Sequence, residues 1–107
     1  MPRTRWAKYE RRLDIASIAG TLALNLLAFL AGIAIAGGAG LVRRLANGFF
    51  AWSLAIPVSY CYWLWWIHAR SRYSTALKLG IALVLLALHG IAWSVVTVAG
   101  SSLATLA

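Results

Sequence analysis

Acidic residues are almost missing from this chain: Glu10 and Asp14 are its two carboxylates among 107 residues. Paired-carboxylate catalysis, a buried proton relay or an oxygen-rich metal cage therefore has nothing to use beyond position 14. Cysteine is nearly absent too. Cys61 stands alone inside an apolar run, which excludes an intrachain disulfide and reads as a small packing residue. No glycine-rich phosphate loop precedes a usable lysine, and no cluster has metal-ligand spacing. These absences point to a non-catalytic protein with no metal site.

What the chain has instead is apolar mass. Hydrophobic residues make up 63% and charged residues 11%, against about 25% charged in soluble domains. So short a chain cannot hide that much apolar surface in water, because small domains bury only about 60% of their unfolded surface. The expectation is a single all-α membrane domain of three hydrophobic, membrane-spanning helices. The net charge of +8 gathers in the first twelve residues, at Arg43 and Arg44, and at Arg70, Arg72 and Lys78, as cations flanking spans do.

Residues 1–14 form a basic segment in which Trp6, Tyr9 and Leu13 share one helical face beside Arg5, Lys8 and Arg12. That pattern predicts a short interfacial helix. A first helix follows over residues 15–36. Its apolar run exceeds the core of a secretory signal, so it is expected to stay as a span despite the cleavage-like Ala34-Ile35-Ala36 before Gly37. Ala28, Gly32, Ala36 and Gly40 recur every fourth residue, a ridge that lets another helix approach closely. Asn25 is expected to hydrogen-bond across a helix interface. Gly37-Gly38-Ala39-Gly40 breaks the helix, with Arg43-Arg44 and Asn47-Gly48 completing the connection.

The second helix is expected over residues 49–67, bracketed by aromatics. Trp52, Trp63, Trp65 and Trp66 read, with Trp6 and Tyr9, as interfacial anchors. Pro57 removes one backbone bond, and the Ser53 hydroxyl is placed to help satisfy the freed carbonyl. A basic loop over residues 68–78 carries His68, Arg70, Arg72 and Lys78. The third helix, over residues 79–99, has Gly80, Ala87, Ser94 and Ser101 spaced by seven, a second small-residue seam. His68 and His89 cannot share one haem: in a hairpin they differ in depth by about 18 Å, twelve residues of helix. The cation excess places the N-terminus and the basic loop in the cytoplasm.

Residues 48–107, two apolar helices joined by the short basic loop His68-Ala69-Arg70-Ser71-Arg72 and ending in Gly100-Ser101-Ser102-Leu103-Ala104-Thr105, resemble the hairpin of conjugative, type IV secretion pilins. The resemblance implies a helical, lipid-containing extracellular filament built from copies of the chain, in company with secretion-machinery subunits. It also implies a lumen where His68, Arg70, Arg72 and Lys78 face lipid headgroups or single-stranded DNA in transit. The departure is the first helix, since such pilins lose a leader. Beyond bound lipid, no cofactor is expected. Two other readings stay open: an accessory subunit of a respiratory or photosynthetic membrane complex, and a holin-like pore-former.

Overall fold

The computed structural model describes residues 2–70 and 72–106, without the side chains of residues 2–10. It is all-helical: α1 (Pro2–Ile35), α2 (Leu41–His68) and α3 (Thr75–Leu106) run up, down and up. α2 lies between the other two, and α1 and α3 do not touch among the described residues. The molecule measures 59 × 26 × 13 Å, and a helix with its side chains is about 10–12 Å across. The three helices therefore lie side by side in a layer one helix thick. Such a layer has seams and no enclosed core. Ala55, Ile56, Ile67 and Val96 are its buried hydrophobic residues, while large side chains from Leu22 and Leu27 to Leu83 and Val98 stand exposed on it.

The helix boundaries differ from the sequence expectation for local reasons. The basic segment is the opening of α1, because nothing between Arg3 and Ala19 interrupts a helix; Trp6 and Tyr9 lie outside the described side chains. Gly37 does break the chain, with a left-handed φ of 54° that costs glycine little. α2 then starts at Leu41, not at residue 49, with Gly40 as its extended N-cap. Arg43, Arg44, Asn47 and Gly48 are therefore helical: Asn47 donates to the Gly32 carbonyl at 2.6 Å, and Gly48 lies against Phe29 and Ile33. The basic loop shrinks to the residues between His68 and Thr75. Ser74 ends it by accepting the backbone N–H of Leu77 at 3.2 Å, an N-cap that starts α3 early. α3 runs on past Ala99 because Gly100 is a packing position, where an added Cβ would lie 3.1 Å from the Phe49 Cβ.

Two helices, not three, are long and apolar enough to cross a membrane: residues 11–35 of α1 and all of α3. α2 falls short because Arg43, Arg44 and His68, with its four tryptophans, two tyrosines and two serines, dilute its apolar content. Pro57 sits on its exposed side. The helix passes through it, and the Ser53 hydroxyl bonds the Phe50 carbonyl at 2.5 Å, one turn back from the carbonyl that Pro57 frees.

Candidate functional site

Lipid rewards helix contact through close packing and hydrogen bonds, and the α1–α2 seam supplies both. Its packed end is the crossing of Gly32 with Gly48 and Ala51. A Cβ built on Gly32 would lie 2.5 Å from the Asn47 carbonyl oxygen and 2.9 Å from the Ala51 Cβ. Ala28 and Ala36 flank this crossing, half-buried; Gly40 has left the ridge for the exposed turn.

Toward the basic turn, the seam becomes a ladder of polar side chains. Asn25 is its hub, donating to the Ser59 hydroxyl at 2.9 Å and to the Thr21 carbonyl at 2.8 Å while accepting the Trp52 indole N–H at 2.9 Å. Ser59, 2% exposed, donates its own hydroxyl hydrogen bond to the Ala55 carbonyl. One level further, Ser17 and Tyr62 share a hydrogen bond. At the end, Asp14 accepts the Trp66 indole at 3.1 Å and pairs with Arg70, whose guanidinium lies 4.3 Å over the Trp66 ring. Trp52 and Trp66 thus work inside the seam. Trp52 packs on Phe29 and Phe49, far from either end of α2, because that helix begins eleven residues before it. Trp63 is half-buried, edge-on to Tyr62 and Trp66, and Trp65 is exposed.

The α2–α3 seam has one hydrogen bond between the bodies of the two helices, from the Tyr60 hydroxyl to the Ala82 carbonyl at 3.1 Å. His89 lies beside Tyr60, ring centroids 5.4 Å apart, and its Nδ1 meets the carbonyl of Leu85 in its own helix. That contact puts the proton on Nδ1. At the turn, Lys78 donates to the His68 carbonyl at 3.3 Å, while the His68 and Arg72 side chains stand exposed. Gly80, Ala87, Ser94 and Ser101 are all exposed. Gly80, Ala87 and Ser94 lie opposite the α3 face that carries Leu85, His89 and Val96 toward α2, because seven residues make nearly two turns, while Ser101 borders a groove against α2.

Shallow grooves mark the layer, and two are formed by described residues. One, of about 440 Å³, runs between α1 and α2 past Leu13, Gly20, Val58 and Tyr62. The other, of about 650 Å³, crosses α2 at the end opposite the basic turn, with Arg43, Phe50, Ser53, Thr97 and Ala104 in its walls.

Sequence reasoning identified Asn25 and Gly32 but not their partners, and it missed Asp14 with Arg70 altogether. A signal existed: Asp14 is the lone acid bordering an apolar run, and an up-down connection carries the end of α2 back to its level. No protein-family model matches the chain, and no curated protein or solved structure does either.

Proposed function

We propose that the chain is a structural membrane subunit without catalytic activity that assembles sideways with copies of itself. The observation that carries this reading is the one-helix-thick layer, apolar on both faces, with Asn25, Trp52, Ser59 and Tyr60 at mid-height bonded inside its own seams. In water such a layer would expose far more contiguous apolar surface than the few hundred Å² soluble monomers carry. In lipid it is at ease. α2 joins α1 and α3 across the membrane because its polar atoms point at its neighbours, and the cation excess sets the N-terminus and the basic turn in the cytoplasm.

Self-association follows from the edges. α1 and α3 run in the same direction on opposite sides of α2, and the outer edge of α3 bears Gly80, Ala87 and Ser94. A second copy laying its α1 there extends the layer by a head-to-tail contact, which repeats without closing unless the rotation makes a ring. A conjugation-type pilus is the specific form that the hairpin resemblance favours, with passing DNA and lipid met by the exposed His68 and Arg72 and by Lys78. Arg70 is committed to Asp14, and the bonds from α1 to α2 favour a subunit that keeps its first helix.

Disulfide trapping in native membranes tests the assembly. In a Cys61→Ser background, Ala23→Cys on α1 and Ala87→Cys on α3 should cross-link together into dimers and a ladder of higher species, with either cysteine alone giving less. Monomers alone, or cross-links only to unrelated proteins, would refute self-assembly, and the second result would favour an accessory subunit.

A further inference from the structure

The larger groove combines an apolar lining with a cation that no carboxylate side chain pairs among the described residues. Arg43 forms its mouth, and Arg44 stands beside it with its Nε buried and unpartnered among the described residues. The chain's carboxylate side chains belong to Glu10 and Asp14. Asp14 pairs with Arg70 at the other end of the layer, and Glu10 lies one turn further out on α1. Neither can reach Arg43: Asp14 is 21 residues before the end of α1 at Ile35, about 31 Å of helix.

The channel's depth matches half a bilayer. From Arg43 to Ser53 is ten residues of α2, about 15 Å, and a hydrocarbon core is about 30 Å thick. Phe50 lines it, and the α3 wall at Gly100 and Ala104 has little side chain to obstruct it. The Thr97 hydroxyl in that wall is buried without a partner among the described residues. The smaller groove is a useful contrast, since it is more apolar and no cation lines it.

We propose that this groove is a binding site for one anionic phospholipid, its acyl chain along α2 and its phosphate against Arg43. The site rests on the membrane-embedded reading and does not depend on self-assembly. It lies at the end opposite the basic turn, so the two clusters of cations have different tasks.

Native mass spectrometry of the full-length protein in a neutral detergent tests it, with phosphatidylglycerol and phosphatidylcholine of identical acyl chains as probes. The expected result is a single retained phosphatidylglycerol, bound about fivefold more tightly than phosphatidylcholine, the contribution of roughly one interfacial cation. Arg43→Gln should erase that preference. Arg11→Gln, which removes the same charge from an exposed position at the other end, should leave it. Ala104→Trp should weaken both lipids by filling the channel, with unchanged helix content by circular dichroism. Equal loss of preference in Arg43→Gln and Arg11→Gln would overturn the site in favour of general charge attraction. Unchanged binding in Ala104→Trp would overturn it as well, and so would tighter binding of oleate than of phosphatidylglycerol. A protein recovered with membranes that binds neither lipid sinks this proposal alone, whereas a protein that never partitions with membranes sinks the reading beneath it.

Discussion

Replacing Gly32 with alanine puts one methyl group where the α1–α2 crossing has no room for it. The new Cβ would meet the Asn47 carbonyl oxygen at 2.5 Å, the Gly48 Cα at 2.8 Å and the Ala51 Cβ at 2.9 Å. Backbone atoms supply two of those contacts, so no rotamer change relieves them and the helices must part. Overpacking of this kind costs about 1–3 kcal/mol. The bond from Asn47 to the Gly32 carbonyl is stretched as well, and a membrane hydrogen bond averages about 0.6 kcal/mol. Alanine's better helix propensity returns about 0.5–1 kcal/mol. The net expectation is a loss of roughly 1–3 kcal/mol, up to about a hundredfold in the folding equilibrium. Gly48 should suffer less, because its nearest neighbours are the movable side chains of Ile33 and Phe29, and Gly100 less again. Gly20, Gly80 and Gly90 have nothing within 4 Å, so alanine there should be neutral or stabilise by up to about 1 kcal/mol. Unfolding in mixed micelles of increasing sodium dodecyl sulfate fraction, followed by tryptophan fluorescence, reads the whole series. If Gly32→Ala proves no less stable than Gly80→Ala, the crossing does not exist as described.

Asn25→Ala should cost about 1–2 kcal/mol, since two cross-helix hydrogen bonds averaging about 0.6 kcal/mol are lost and Ser59 stays buried; the same titration checks it, with a shifted Trp52 emission as the local sign. A double-mutant cycle of Asp14→Asn and Arg70→Gln should give a coupling of about 1 kcal/mol or less, shrinking in high salt, since both groups are part-exposed. Coupling of zero at low salt would mean that the pair does not form. His89→Phe should change stability by under about 1 kcal/mol, because the imidazole bonds only its own helix and the ring contact with Tyr60 survives.

Three long apolar runs and a glycine cluster announce a helical protein with a break near Gly37, and that much was legible in the sequence. The start of α2 was not. Arg43-Arg44 and Asn47-Gly48 carry the composition of a connection, and they are helical because Asn47 and Gly48 dock on α1, a tertiary effect that local propensity cannot register. The aromatic belt misled for a similar reason. Trp52 and Trp66 have the composition of interfacial anchors, but an indole N–H is also a donor, and Asn25 and Asp14 on α1 are placed to accept it. Ser17 and Tyr62 are 45 residues apart and Arg70 and Asp14 are 56. Nothing local marks such pairs. The seam on α3 was visible as a spacing, but its direction, away from α2, was not.

The two seams differ in a way that governs how the molecule can deform. α1 and α2 are tied by contacts from Asp14 through Asn25 to Gly32, at both ends and in the middle, so they move as a single stiff panel. α3 packs against α2 just as closely, but its polar tie between the helix bodies is the bond from Tyr60 to Ala82, and the rest is apolar contact that tolerates sliding. Because α1 and α3 never meet, no strut fixes the angle between that panel and α3. A change in membrane thickness or curvature should therefore be absorbed as rotation about the α2–α3 line, and a chain of such units would bend at one hinge per subunit.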